Sequence, residues 1–409
     1  MHIGIQPDSD TYTSVIKACA NNALSSDQGR FVHTVIDWTI WGLDPFIISA
    51  LISMYVICGP IDLARRLFEE FSVRNIVMWN ALMSAYIQHG DIGKVFDLFQ
   101  QMLLEGVEPD RVTFLNVLKV CSIFGDLSIG HLLHSLILQY GMMKDIFIGS
   151  VLVEMYCSLG CPDYAYQVFK VLPTRNNVTW NTMISGYAEH GDFRMAFHVF
   201  QAMYGDGVQP DNITYSSILK ACVGAIFLGQ GRLIHFLAAS SSGDQDWVVC
   251  HGLIHMYTQA GSFLDANKVF ESLSEKNIVA CNSMISGYAR YGDYSMAAQF
   301  FLRMISEGIK PDDMTFFGLL SACSHAVRVQ EACIHINSMV ENHGIKPSCG
   351  HLYSVADLLA RMGCLNEAEA IVRTIPIVEH LDVGCLSLIG HSGKYGHIDQ
   401  ARKFFNYVL

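Results

Sequence analysis

Three asparagines and three aspartates are the residues best placed for chemistry in this chain. Asn80, Asn181 and Asn282 stand 101 residues apart, and Asp110, Asp211 and Asp312 follow them, each 30 residues on. A side-chain amide carries both a donor and an acceptor, and a neighbouring carboxylate can fix its orientation. That is the chemistry of hydrogen-bond recognition repeated at intervals, not of bond breaking. The sequence has no C-x-x-C pair, no G-x-x-x-x-G-K phosphate loop and no G-x-S-x-G nucleophile elbow. Its thirteen cysteines are odd in number and scattered through apolar stretches, and the closest pair, Cys157 and Cys161, has no further ligands beside it. They read as reduced thiols, and no metal or other cofactor is expected.

What must position the amides is a repeat. Three stretches align without gaps: NIVMWNALMSAYIQHGDIGKVFDLFQQMLLEGVEPD from Asn75, NNVTWNTMISGYAEHGDFRMAFHVFQAMYGDGVQPD from Asn176 and NIVACNSMISGYARYGDYSMAAQFFLRMISEGIKPD from Asn277. After each Pro-Asp comes a related stretch: VTFLNVLKVCS from Val112, ITYSSILKACV from Ile213 and MTFFGLLSACS from Met314, with an earlier copy, TYTSVIKACA, from Thr11. A shorter kind is marked by Met-Tyr and a later Gly, at Met54–Gly59, Met155–Gly160 and Met256–Gly261. The 101-residue unit therefore divides into 35, 35 and 31 residues, which are lengths typical of helix–turn–helix repeats.

The periodicity fits two helices in each. Leu82, Met83 and Tyr86 recur at helical spacing, and Val95, Phe96 and Phe99 do so in the next helix. Gly90 is placed to end one helix in a left-handed conformation, Asp91 to cap the next, and Pro60 to enter a first turn. One helix pair cannot bury its own apolar face. The predicted fold is therefore all-α, a right-handed α-solenoid of stacked helix–turn–helix repeats with a long concave groove.

With 51% hydrophobic and 16% charged residues the chain can bury a large core and is not disordered. No apolar run reaches the roughly 20 residues of a membrane span, so no membrane partner is expected. Met1 to Asp8 lack the basic start and apolar core of a secretory signal. The net charge of −12 runs against the electrostatic excess common in nucleic-acid binders, although a groove can be locally neutral or basic within an acidic protein.

The ordered triplet of lengths resembles the pentatricopeptide repeat family, in its plant type where P, L and S motifs alternate. The resemblance covers essentially the whole chain. By the family pattern an L motif spans 9–44 and an S motif 45–75; P, L and S motifs follow at 76–110, 111–145 and 146–176, then at 177–211, 212–246 and 247–277. A last P motif spans 278–312, variant L and S motifs match 313–348 and 349–380, and 381–409 resembles part of an E motif. Residues 1–8 match only the tail of a P motif, which implies an array truncated at both ends and accounts for the absence of a visible organelle-targeting peptide.

In that family the fifth and last residues of a motif together select one base of single-stranded RNA. Carried over, Asn80 with Asp110, Asn181 with Asp211 and Asn282 with Asp312 would favour uracil, with cytosine second. Thr13 with Asp44 resembles a guanine pair, as does Ser216 with Asp246 more weakly; Ser49 with Asn75 and Ser150 with Asn176 resemble adenine pairs. Leu115 with Asp145, His251 with Asn277, Phe317 with Ser348 and Tyr353 with His380 fit no usual pair. The array then reads G-A-U-x-A-U-G-x-U. A structural alternative is that Asn and Asp recur as helix caps, but the asparagines lie well inside their apolar runs, where Asn is a poor helix former.

Other recurrent residues read as scaffold: Cys19, Cys121, Cys222 and Cys323; His33, His134 and His235; Met54, Met155 and Met256 with their tyrosines; and Trp79 and Trp180, where core packing outweighs base stacking. Lys17, Lys119 and Lys220 suit either phosphate contact or a solvated helix face. The resemblance implies choice of an editing site for C-to-U change in a mitochondrial or plastid transcript. None of the seventeen histidines starts the H-x-E that a zinc deaminase needs. The chain therefore reads as a non-enzyme, with a deaminase supplied in trans or by a missing C-terminal domain, alongside other editing-complex proteins. Two alternatives stay open: a helical-repeat scaffold for protein–protein interaction, and a degenerate fragment without function.

Overall fold

The computed structural model describes residues 8–21, 26–37, 44–58, 60–71, 74–223, 228–241 and 246–374. The E-like segment, the start of the chain and His380 lie outside them. Among the described residues the fold is all-α, without strands. Two compact units are present, Met1–His190 with His198–Val208, and Gly191–Phe197 with Gln209–Leu409.

In the first unit the segments supply helices in pairs: α1 (Ser9–Asn21) and α2 (Ser26–Asp37), α3 (Pro45–Cys58) and α4 (Ile61–Glu70), α5 (Ile76–Gln88) and α6 (Ile92–Leu104), α7 (Arg111–Phe124) and α8 (Leu127–Gln139), α9 (Ile146–Ser158) and α10 (Pro162–Val171), then α11 (Asn177–Glu189). Helix α12 (Phe193–Gly205) contributes to both units. The second holds α13 (Asn212–Val223) and α14 (Leu228–Ser240), α15 (Trp247–Gln259) and α16 (Phe263–Ser272), α17 (Ile278–Arg290) and α18 (Tyr294–Ser306), α19 (Asp313–Ala326) and α20 (Val329–Asn337), α21 (Cys349–Arg361) and α22 (Leu365–Arg373). Within each unit the first helices of successive segments pack on one another, α1 to α11 by odd numbers and likewise α13 to α21.

The sequence explains this layering. Helix α5 buries Met78, Trp79, Leu82, Met83, Ala85 and Tyr86 on more than one face, as befits an element flanked by helices on several sides. Helix α6 buries only Val95, Leu98, Phe99 and Met102, the single stripe of an outer helix. Phe96, expected in the core, is half-buried and packs edge-on against Phe124 at 5.8 Å.

Gly90 takes the left-handed conformation its position requires, with φ +76°. Asp91 does not cap α6 as expected. Lys94 draws its carboxylate away at 2.5 Å, whereas Asp293, with no such partner, caps α18 by accepting from Met296 N–H at 3.1 Å. Pro60 stands at the cap of α4 and not within its first turn.

An arginine closes each of the two S segments of the first unit. Arg175 Nε donates to the Phe169 carbonyl at 3.1 Å and Nη2 to the Lys170 carbonyl at 3.0 Å, so it satisfies the open end of α10. Its Nη1 reaches Asp206, which follows α12, at 3.0 Å. Arg74 repeats the arrangement with Phe68, Glu69 and Glu105. Arg175→Ala is expected to lower stability by about 1.5–3 kcal/mol, mostly through the two carbonyls, since the Asp206 end is solvated. Arg175→Lys should recover only part of this, because an ammonium cannot span the fork. Urea unfolding with fluorescence detection measures both.

Candidate nucleic-acid interface

Each asparagine of interest sits on a first helix, one turn beyond its N-terminus, and the aspartate 30 residues later caps the next first helix. Asp110 N-caps α7 by accepting from Thr113 N–H at 2.9 Å, while Thr113 Oγ1 lies 3.3 Å from the Asp110 N–H, which closes a capping box. The Asn80 amide donates to the same Asp110 Oδ1 at 2.9 Å. The Thr113 hydroxyl lies 2.8 Å from Asn80 Oδ1 and 2.9 Å from Asp110 Oδ1, so one proton serves both. Asn80 is only 8% exposed. Its amide is locked in one orientation, with one N–H and one lone pair left over.

Burial opposes the charge on Asp110, but the Thr113 N–H, the Asn80 amide and the Thr113 hydroxyl outweigh it and hold the carboxyl below its ordinary value. A lowered folded pKa stabilises fully above the unfolded value and is lost as pH falls through the folded one, so the clamp is intact at neutral pH.

The second unit repeats the clamp two periods on. Asn282 donates to Asp312 Oδ1 at 2.9 Å, and Thr315 Oγ1 to Asn282 Oδ1 at 2.7 Å. Asp312 caps α19 through Thr315 N–H at 2.9 Å. Asn181 lies on α11 and is 8% exposed, and Asp211 caps α13 through Thr214 N–H at 2.8 Å. Asp therefore does act as a helix cap at this position, whereas Asn80 and Asn282 cap nothing. Thr113, Thr214 and Thr315 were not singled out by the sequence reading, although D-x-x-T recurs after every P segment.

The S segments differ. Ser49 and Asn75 meet, with Asn75 Nδ2 3.0 Å from Ser49 Oγ, and Asn75 caps α5. Both serines donate to the carbonyl four residues back, Ser49 to Pro45 at 2.6 Å and Ser150 to Ile146 at 2.7 Å, while Asn176 caps α11.

In the L segments the structure does not join the fifth residue to the last. The Thr13 hydroxyl donates to the Ser9 carbonyl at 2.8 Å, and Asp44 accepts from Ser9 Oγ at 3.2 Å. Asp246 accepts from Asn212 Nδ2 at 2.8 Å, with Ser216 half-buried nearby in sequence.

Around these positions the second residue of most segments is apolar and exposed: Phe46, Val77, Val112, Phe147 and Val178 in the first unit, and Ile213, Val279 and Met314 in the second. Asp10, Val248, which is half-buried, and Gly350 depart from the pattern. A groove of about 390 Å³ on the first unit is lined by Thr13, Lys17, Phe46, Ser49, Ser53 and Val77. One of about 300 Å³ on the second is lined by Ser286, Arg290, Phe317, Ser321 and His325. Lys17, Lys119 and Lys220 are exposed.

The other recurrent residues are accounted for by packing. His33, His134 and His235 each put Nδ1 2.9–3.0 Å from the hydroxyl of the following Tyr55, Tyr156 or Tyr257. Burial pushes the thiols of Cys222 and Cys323 up to about 12, which leaves them protonated at neutral pH. Trp79 and Trp180 are 0% and 2% exposed and pack edge-on against Phe68 and Phe169. No cluster of side chains able to hold a metal ion occurs among the described residues.

Comparison with known proteins adds the following. The PPR repeat family matches at residues 74–122, 175–224 and 276–325, and the PPR repeat again at 47–76 and 248–278. The pentatricopeptide repeat-containing protein CRR2, chloroplastic, of Arabidopsis thaliana is 33% identical over 404 residues, 97% of this chain and 61% of its own length. A second protein of that plant, At4g33170, is 36% identical over 377 residues, 92% of this chain and 38% of its own. The chain thus spans only part of these relatives. The crystal structure of the pentatricopeptide repeat protein PPR10 in complex with an 18-nt psaJ RNA element superposes with a TM-score of 0.69 at 18% identity, covering 99% of this chain and 64% of that one. With its repeats matched in both units and its helix pairs stacked in the same fold, the chain belongs to the pentatricopeptide repeat family.

Proposed function

We propose that this protein binds single-stranded RNA in a sequence-specific way, at about one base per repeat, with the fifth and last residues of its P segments reading uracil. The observation that carries this is the clamp, in which Asn80 and Asn282 are each held by a carboxylate and a hydroxyl with hydrogen-bonding capacity to spare. Such an amide is presented to an incoming base edge without the entropy cost of orienting it first. The exposed apolar side chains at the second positions flanking the two clamps, Val77 with Val112 and Val279 with Met314, offer the bases read there an apolar surface on either side. The RNA-bound PPR10 supports the same reading.

By this proposal the reading residues also include Asn181, Asp211, Asp110, Asp312 and the S-segment pairs Ser49 with Asn75 and Ser150 with Asn176. The alternation of P, L and S lengths and relatives named chloroplastic or mitochondrial support an organellar role in choosing C-to-U editing sites, with the deamination performed by another protein or domain.

The net charge of −12 favours the rival reading of a protein-binding scaffold. Titration of GAUAAUGAU RNA against a scrambled strand separates the two. Preferential binding whose log affinity falls linearly with log salt, with a slope of about −0.7 per phosphate contacted, is the expected result. Equal affinity for both strands, or none, rejects the proposal.

A further inference from the structure

We infer that the first residue of an L segment governs whether that segment reads a base, because it takes the closing carboxylate away from the fifth residue; this rests on the base-reading function proposed above. First and fifth residues are one helical turn apart and share a face, so both can reach the aspartate that caps the next first helix. In the P segments at 76–110 and 278–312 the first residues are Ile76 and Ile278, which have no side-chain donor, and Asn80 and Asn282 hold the carboxylate unopposed. Asn177 opens the P segment at 177–211, so the contrast rests on the other two.

In the L segments that close on aspartate, the first residue is polar each time. Ser9 donates to Asp44 Oδ2 at 3.2 Å, Asn212 donates to Asp246 Oδ2 at 2.8 Å, and Arg111 Nη1 lies 3.6 Å from Asp145 Oδ2. The other oxygen of each carboxylate is engaged by the helix that follows: Asp246 Oδ1 accepts from Val248 N–H at 2.9 Å, Asp145 Oδ1 from Phe147 N–H at 2.9 Å, and Asp44 Oδ1 from Phe46 N–H at 2.8 Å. Both oxygens are therefore engaged, and neither is directed at Thr13, Leu115 or Ser216.

The backbone supports the distinction independently. Asp110 and Asp312 cap with ψ of −175° and −173°, but Asp145 and Asp246 with ψ of 118° and 128°. A second difference lies two residues beyond the first of the next segment. Thr113 and Thr315 close a capping box there, while Ile47, Ile148 and Val249 have no hydroxyl to offer, and the carboxylate before them accepts from the second and third N–H of the helix through one oxygen and meets the first residue of its own segment with the other.

The test uses the full chain and four RNAs, GAUAAUGAU and its variants at the seventh nucleotide, which faces segment 212–246. Ser216→Asn supplies a P-type fifth residue but leaves Asn212 in place, and is expected to change the preference among the four RNAs by less than about twofold; adding Asn212→Ala should then produce a preference for uracil over adenine of about tenfold, the value of one hydrogen bond of ordinary strength. Matching melting temperatures of the two variants exclude misfolding as the cause. Full uracil preference in Ser216→Asn alone overturns the inference, as does its absence from the double variant while the ninth nucleotide remains selective. If changing the ninth nucleotide has no effect on the wild-type protein either, base reading itself fails and the inference falls with it.

Discussion

Asn282→Leu is expected to level the protein's preference at one nucleotide of its RNA while leaving the fold in place. The wild-type chain should bind RNA carrying uracil opposite segment 278–312 about tenfold or more tightly than RNA carrying adenine there, because a correctly paired edge is worth about 1–3 kcal/mol against a mismatched one. Leucine matches the shape of the side chain and removes both of its polar atoms. Thr315 N–H still bonds Asp312 at 2.9 Å, so α19 keeps its cap and the cost to folding should stay near 1 kcal/mol. Thr315→Val is the informative companion. It leaves the amide bonded to Asp312 at 2.9 Å but removes the hydroxyl that engages its oxygen, and should narrow the preference without abolishing it. Affinities for RNAs differing only at that nucleotide measure both effects.

Trp180→Ala is expected to have the largest effect on stability, about 3–5 kcal/mol. The indole is 2% exposed and meets Phe169 edge-on at 4.7 Å, with the Arg175 guanidinium 5.9 Å from its centre. Its removal leaves a hole where α10 and α11 join. Because stacked repeats are stabilised through their neighbours, the loss should appear as early unfolding around that junction. Trp180→Phe should cost much less, since Nε1 has no hydrogen-bond partner to lose. Denaturant titration with hydrogen exchange localises the change. An alanine variant with unchanged stability but weakened RNA binding would instead make this ring a base platform.

The sequence carried the fold because its period is long and strict. Residues 101 apart must occupy equivalent places, so Leu82, Met83 and Tyr86 could be assigned to one helix and Val95, Phe96 and Phe99 to the next, although Phe96 is only half-buried. The pairing of Asn80 with Asp110 followed from the family resemblance, and the spacing agrees with it, setting one residue a turn into a helix and the other at the start of the next. Two features were not legible. The Thr113 hydroxyl was overlooked because threonine at a third helical position looks unremarkable until its cap is seen. The L segments misled more deeply: aspartate closes them just as it closes the P segments, and only the residues at the first position and at the third of the following segment, Asn212 with Val249 or Ile278 with Thr315, tell which way the carboxylate turns. His33, His134 and His235 could be set aside as scaffold from their spacing, but their tyrosine partners became visible only once the helices were stacked.

Selection from a randomised single-stranded RNA library tests the central claim most directly. Segments 76–110 and 278–312 carry the same clamp and stand two 101-residue units, hence six repeats, apart. The predicted result is two enriched uracils at a fixed separation of six nucleotides, the first lost with Asn80→Leu and the second with Asn282→Leu. Enrichment with no fixed spacing, or enrichment indifferent to both substitutions, would contradict a base read by each repeat.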